Sequence, residues 1–363
     1  IVFGDWSSDV CSSDLPVPAR QPLSETGYFL NLSLSLKNPM GLLAAGHVLA
    51  TEQISLPSAG IKLPAKSPVK FYFPSVTEDD NRLRVSGRNF SFVFDKQQGL
   101  MTSWQSNGQE LIHRGFVPNF RRAPTDNDIG NQMPRRSKVW FDASEQRTLL
   151  EFNSSTRDEG STIINVSYLL PDSIARVHMT YTIFPDGKLH IHTALKSPKA
   201  ALPDLPRFGL NVRFNPLLNT AEWYGRGPWE NYVDRKTASF VGVYSSKTDE
   251  LFTPYVRPQE NGYRTDIRWL EFRDGNRKLR ITGDSLFSFS ALRYTFDDLK
   301  GFRQGGKHLN DLQKQPFVDV NLDYGQTGVG GDDSWGAPVH KKYRLEAREM
   351  EYGLELEMVA PAD

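Results

Sequence analysis

A single cysteine, Cys11, is all that the 363 residues contain. That excludes a disulfide framework and a cysteine-built zinc site. An excess of either charge is equally lacking: 43 Lys and Arg balance 43 Asp and Glu. No overall field therefore draws the chain toward nucleic acid or an anionic membrane. No uninterrupted apolar run approaches the ~20 residues that a bilayer-crossing helix needs. Helical periodicity is scarce, confined to Phe296–Lys300 and Leu309–Leu312. Hydrophobic residues make up 38% and charged residues 24%, so a core can form and compositional disorder is excluded. What is present is a neutral, aromatic-rich chain suited to an uncharged ligand. At roughly 150 residues per domain, its length predicts two domains, or one large β domain with a smaller neighbour.

The first fifteen residues, IVFGDWSSDVCSSDL, stand apart. They lack the basic and apolar regions of a signal peptide and have no period of 2 or 3.6. They resemble translated non-native sequence of the kind left at assembly junctions, so 1–15 is read as non-native or unstructured.

From Tyr28 the pattern is that of strands. Tyr28, Leu30, Leu32, Leu34 and Leu36 alternate with Asn31, Ser33 and Ser35, the period of a strand with one buried face. Runs at Leu49–Leu56 and Val69–Phe73 complete a small β unit, and PSVTEDD at Pro74–Asp80 reads as a linker. Alternation resumes at Phe90, Phe92 and Phe94, and again along Val177–Ile183 and Leu189–Leu195, joined by Pro185-Asp186-Gly187. Asp-Gly between two alternating runs signals a hairpin. Further strands are predicted at Arg207–Phe214, Ile267–Phe272, Leu286–Tyr294, Phe317–Leu322 and Met350–Met358. Many short strands separated by turns argue for packed antiparallel sheets, too long for a seven-stranded sandwich.

Four segments carry candidate chemistry. RRAPTDNDIG (Arg121–Gly130) gathers Asp126, Asn127, Asp128 and Gly130, either as a surface turn or as a loop meeting a polyhydroxyl ligand or neighbouring domain. WYGRGPWENYVDR (Trp223–Arg235) sets Trp229 beside Glu230 and Asn231. Such aromatic faces flanked by planar polar groups suit a sugar, and equally a packed corner. RPQENGYRTDIR (Arg257–Arg268) places Glu260 and Asn261 before Gly262, where a turn competes with function. TGVGGDDSW (Thr327–Trp335) superficially resembles a phosphate loop, but no Lys-Ser/Thr follows and Pro338 stands where a helix should begin. Asp332 and Asp333 are read there as bonding turn amides, with Trp335 as anchor. Glycoside hydrolysis needs two carboxyl groups roughly 5–5.5 Å apart for retention or 6.5–9.5 Å for inversion. Glu230, Glu260, Asp332 and Asp333 are the candidates to converge. His190 and His192 share the face opposite Leu189 and Ile191, read as solvated, and no protein-built metal centre is predicted.

RAPTDNDIG, GRGPWENYVDR, PQENGYRTDIRWLEF and GVGGDDSWG, in this order, resemble the C-terminal region of glycoside hydrolase family 2 β-galactosidases. The resemblance runs from about Pro16 to the end. LSETGYFLNLSLSL and AAGHVLATEQISLP resemble the end of the preceding immunoglobulin-like domain. The resemblance implies an all-β chain: residues 16–74 the remnant of an Ig-like sandwich, 75–363 a large antiparallel β-supersandwich of the galactose mutarotase type.

It also implies that both catalytic glutamates, the Mg2+ ligands (and a Na+ site) and most galactose contacts lie on a (β/α)8 barrel absent from this chain. No catalytic residue is therefore assigned here. The expected partners are a β-galactoside and the barrel-containing remainder of an oligomeric enzyme, with truncation favoured over a natural split. Matched by motif, Asp126–Gly130 corresponds to a mobile loop closing over the galactose site, with Gly130 as hinge. Family members carry a Trp at the position of Asp319, on the aglycone side of the pocket, and Tyr324 is a candidate substitute. Two alternatives stay open: a carbohydrate-binding module using Trp229 and Trp335, and an aldose epimerase, which would need a His beside a carboxylate in a concave pocket.

Overall fold

The computed structural model describes residues 27–56, 73–275, 277–301, 307–333 and 335–359. The chain divides into two compact units, Ile1–Val69 and Lys70–Asp363. In the first, β1 (Tyr28–Ser35) pairs antiparallel with β2 (Val48–Leu56), Tyr28 opposite Leu56, with a bulge at Leu34/Ser35. Leu30 and Leu32 are half-buried while Asn31 and Ser33 are exposed, as their alternation requires. Residues 1–15 and most of the Val69–Phe73 run lie outside the described residues.

The second unit begins with a five-stranded antiparallel meander: β3 (Ser75–Glu78), β4 (Arg82–Ser86), β5 (Phe90–Asp95), β6 (Leu100–Ser106) and β7 (Gln109–Glu110). The segment read as a linker thus contains β3, which pairs with β4 from Ser75↔Ser86 to Glu78↔Leu83. Its polar composition fits an edge strand as well as it fits a connection.

A twelve-stranded antiparallel sheet follows among the described residues. It comprises β8 (Ile112–Asn119), β9 (Thr148–Thr156), β10 (Thr162–Leu169), β11 (Arg176–Ile183), β12 (Leu189–Lys196), β13 (Arg207–Phe214), β14 (Thr220–Gly227), β15 (Phe240–Lys247), β16 (Arg264–Asp274), β17 (Arg277–Leu292), β18 (Val318–Gln326) and β19 (Met350–Val359). Among the described residues four short α-helices interrupt it: α1 (Asp126–Gly130), α2 (Met133–Arg136), α3 (Lys138–Glu145) and α4 (Phe296–Leu299). The large second unit is the expected all-β, antiparallel supersandwich.

One path runs β15-β14-β16-β17-β19-β12-β11-β10-β9, and a branch runs from β17 through β18 and β13 to β8. The fork is β17, whose Lys278–Gly283 half pairs with β19 while Ser288–Leu292 pairs with β18. In β11, Val177, Met179, Tyr181 and Ile183 are buried and the residues between them only half-buried or exposed, so period-2 alternation built this strand as read. The hairpin to β12 turns at Gly187, whose φ of +87° suits glycine. β13, by contrast, is buried along nearly its whole length, with β18 and β8 paired on its two edges. Phe208 and Phe120 stack at 6.1 Å, and Phe120 also meets Trp140 of α3 at 5.7 Å, tying the helical excursion to the sheet core. Gly115 in β8 exists for a contact: a Cβ there would lie 2.1 Å from the Met101 carbonyl of β6.

Candidate functional site

Because β8, β13, β18 and β17 are consecutive neighbours, polar residues two apart on β13 and on β18 align on one face, and β8, whose register against β13 shifts twice, and β17 add to it. Asn211 and Arg213 on β13, Asp319 and Asn321 on β18, Asn119 and Arg114 on β8 and Ser290 on β17 line one cleft. With its solvent-filled mouth it holds about 690 Å³ of empty space. A hydrogen-bonded network crosses all four strands. Asn119 donates to Asn321 Oδ1 (2.9 Å), Asn211 donates to Asp319 Oδ1 (2.7 Å), and Asn321 donates to Ser290 Oγ (3.0 Å). Arg213 Nε donates to Asp319 Oδ2 at 3.1 Å, and Arg114 donates to Asn211 Oδ1. Burial pushes the Asp319 carboxyl above its ordinary value, opposed by Asn211, Arg114 and Arg213.

A second, shallower cleft brings together Asp126, Asn127, Glu230 and Glu260 with Tyr232, Tyr255 and Arg235. Its carboxylates are largely engaged. Glu230 accepts from the Gly262 amide (2.7 Å), Thr253 Oγ1 (3.1 Å), Arg235 (2.6 Å) and the Tyr255 hydroxyl. Glu260 accepts from Arg207 (2.6 Å) and Gln326 (3.0 Å). It also reaches the edge of the first cleft, so one carboxylate borders both. Asn231, fully buried, takes the Thr265 amide and hydroxyl (3.0 and 2.7 Å), and Asn261 accepts from the Thr253 amide (3.1 Å) and donates to the Gln259 carbonyl (2.9 Å). These two asparagines shape the corner from inside.

The Arg121–Gly130 segment is a capped turn of helix. Thr125 is the N-cap, and its hydroxyl and the Asp128 carboxylate exchange hydrogen bonds with each other's backbone amides (3.1 and 3.0 Å). Asp128 is buried against Arg122 in a two-point pair, Nε–Oδ2 3.0 Å and Nη2–Oδ1 2.8 Å. The same guanidinium donates to the Gly328 carbonyl (2.9 Å) and to that of Thr327. Asn127 donates to the Val329 carbonyl at 3.0 Å, while Asp234 accepts the Val329 and Gly330 amides (3.1 and 2.7 Å). Arg122, Asn127 and Asp234 thus lace three motifs around the glycine turn. Asp126 faces outward to Arg257 (3.0 Å) and Gln259 (3.2 Å). Gly130 closes α1 without a positive φ.

The remaining candidates lie elsewhere. Asp333 accepts the amides of Trp335, Gly336 and Ala337 (2.8–3.1 Å), which lowers its pKa, and the exposed Asp332 contacts His340 (2.7 Å). The turn Asp333 bonds is the one after the glycines, not the glycine run itself. Trp335 and Trp229 are 89% and 69% exposed, the latter bordering a depression with Glu230 and Asp234. Tyr324 packs on Phe208 and Tyr352 and lines a separate cleft with Tyr263. Arg114, Asn119, Asn211, Arg213 and Asn321 lie outside the four segments that the sequence marks as candidates. The signal available was pairs of polar residues two apart inside the otherwise apolar strands Arg207–Phe214 and Phe317–Leu322. Among the described residues, the His–carboxylate pairs are His190–Asp284, His308–Asp311 and His340–Asp332, and none lines the polar cleft. No cluster of three or more His, Cys, Asp or Glu side chains that could hold a metal occurs among them.

An antiparallel β-supersandwich with a polar cleft across four strands defines the class of protein. Residues 86–356 match the family described as β-galactosidase small chain, and the chain belongs to that family. It is 37% identical over 337 residues to a β-galactosidase of Priestia megaterium, covering 92% of this chain and 32% of that protein. It is 34% identical over 345 residues to a β-galactosidase of Pseudoalteromonas haloplanktis, covering 91% and 32%. The chain therefore spans about a third of the length of the curated relatives it matches. Among solved structures, a galactose 1-epimerase from Lactobacillus acidophilus NCFM superposes with a TM-score of 0.47 at 9% identity, over 81% of this chain and 100% of that one.

Proposed function

We propose that this chain is the C-terminal portion of a retaining β-galactosidase of glycoside hydrolase family 2, following the end of an Ig-like domain with its supersandwich. The catalytic glutamates, the Mg2+ and a Na+ ion belong to a barrel on the remaining polypeptide. The observation that carries this reading is the family match over 86–356 combined with relatives about three times as long. In support, Glu230 and Glu260 are already bound by cations and amides of this same chain, so neither stands free as acid or nucleophile. In the intact enzyme the covalent galactosyl intermediate forms on the barrel.

This chain supplies the four-strand cleft as a wall on the aglycone side, with Asp319 in it, and α1 as part of a loop over the galactose. Closure of that loop about Gly130 positions substrate and excludes water. The exposed Trp229 and Trp335 offer stacking faces to the sugar, and the chain also supplies an assembly surface to the rest of an oligomeric enzyme. Assayed alone on a chromogenic β-galactoside, the chain gives background turnover only, and a matching barrel-containing chain restores activity. Turnover by the isolated chain would overturn the proposal.

The same exposed tryptophans favour one second reading, a free-standing carbohydrate-binding module. It requires galactose binding by the isolated chain that is lost in Trp229→Ala. An aldose epimerase reading lacks this support, since the His–carboxylate pairs lie off the cleft.

A further inference from the structure

The polar cleft is unevenly neutralised. Around its rim no cation lacks a carboxylate: Arg121 faces Glu145, Arg207 lies between Glu260 and Asp323, and Lys300 faces Asp297. At its floor, Arg114 and Arg213 share the single carboxylate of Asp319. Arg213 touches it directly through Nε at 3.1 Å. Among the described residues Arg114 has no ion pair; it donates one Nη to Asn211, and its Nε is buried without a partner. Burial, and after it the neighbouring Arg213, hold the Arg114 guanidinium down to about 10, which Asp319 only partly offsets. A buried cation without its own counter-charge is costly, and the floor of the cleft, taken by itself, has two guanidiniums to one carboxylate.

Arg213 is also held in place. Its guanidinium lies over the Phe317 ring at 4.5 Å, and Phe317 also stacks on His113 at 4.9 Å. With Nε committed to Asp319, its two Nη groups have no acceptor among the described residues. Two fixed guanidiniums, short by one counter-charge, in an open cleft lined by amide side chains make a fork for a planar oxyanion, and the amides supply partners for adjoining hydroxyls.

We propose that Arg114 and Arg213 form a subsite for one carboxylate carried on a sugar, so that the cleft selects an acidic leaving-group sugar, a uronic acid, over its neutral counterpart. This rests on the β-galactosidase reading for its place in the reaction, but the binding itself belongs to this chain and can be measured on it.

The test is binding of sodium D-glucuronate, D-glucose and sodium acetate to the full 363-residue chain at constant ionic strength, read by NMR titration. Glucuronate is expected to bind at least tenfold more tightly than glucose and more tightly than acetate, because only it offers both the anion and the hydroxyls. Arg213→Gln and Arg114→Gln, made separately, should each reduce the glucuronate preference to less than about threefold. The wild-type comparison of the three probes needs no variant to fold. Equal binding of glucuronate and glucose, no binding of either, or a preference unchanged in a folded Arg213→Gln or Arg114→Gln overturns the proposal. In enzyme reconstituted with a barrel-containing chain, kcat/KM should favour a β-galactosyl-glucuronate over β-galactosyl-glucose. Loss of the preference on reconstitution would mean that the remainder of the enzyme supplies the anion, and would also overturn it. Absence of any turnover on reconstitution, with glucuronate selectivity intact, would instead count against the β-galactosidase reading alone.

Discussion

Asp128→Asn is the sharpest perturbation of the loop cluster. The change keeps the shape of the side chain and removes one charge. In the folded protein Asp128 meets Arg122 at 2.8 and 3.0 Å, both side chains buried. Although burial opposes it, Asp128 holds the Arg122 guanidinium above its ordinary value. Asparagine can still accept the Thr125 amide (3.0 Å to Asp128), so the N-cap survives in part. What is lost is the counter-charge of an arginine that water cannot reach. Breaking one side of such a pair costs about 3–5 kcal/mol.

Arg122→Met should cost a similar amount, because it strands Asp128 and deprives the Thr327 and Gly328 carbonyls of their donor. The double variant removes both charges and should be less destabilised than the sum of the singles by at least about 2 kcal/mol. Urea unfolding at pH 7, followed by tryptophan fluorescence, measures all four corners of the cycle. An Asp128→Asn cost under about 1 kcal/mol, or strictly additive singles, would refute the reasoning that this pair locks α1 onto the glycine turn.

Two further outcomes follow from buried groups of the sheet. Burial pushes the Asp323 carboxyl up to about 7 although Arg207 pulls it down, and Glu260, which shares that arginine, pushes it further. A raised folded-state pKa means that the protonated form is favoured on folding. Asp323's contribution is complete below about pH 4 and is lost as pH rises through about 7. The stability of Asp323→Asn relative to wild type should therefore rise with pH across that window, by at most about 1.4 kcal/mol per unit; urea midpoints that differ by a constant amount from pH 4 to 7 would contradict it. Gly115→Ala sets a methyl 2.1 Å from the Met101 backbone oxygen, where no side chain can yield. A loss of about 1–3 kcal/mol is expected in the same assay, and an unchanged midpoint would show that β6 and β8 are not so tightly apposed.

Strands that alternate were legible because alternation is a direct consequence of the pleat: β11 and β12 fall within a residue or so of Val177–Ile183 and Leu189–Leu195. β13 coincides with Arg207–Phe214 although it is buried on both faces, its apolar run being bounded by turn residues. β17 was not legible as one strand. Its middle, Gly283-Asp284-Ser285, has turn composition, so the reading began only at Leu286. The same three residues mark where it leaves β19 for β18, and no local pattern reports a change of partner. β3 was hidden by its linker-like composition. The cleft was illegible for a different reason: Asn119, Asn211 and Asn321 are 202 and 110 positions from one another across their two hydrogen bonds. Local clusters rich in Asp, Asn and Trp are the stronger signal in the sequence. The sequence could not show which of those polar groups face inward, and the structure buries Asp128, Asn231 and Asn261 against the chain's own backbone and Arg122.

The branch from β17 through β18 and β13 to β8 has a consequence for how the protein matures. Segments near residues 115, 210 and 320 must all be in register before the floor of the cleft exists, and closing such long loops is slow relative to forming hairpins like β11–β12. A half-assembled chain could display its hairpins yet offer nothing for a sugar to hold. Occupancy of the cleft would then act as a certificate of completed assembly, favouring the finished protein over every earlier stage by mass action.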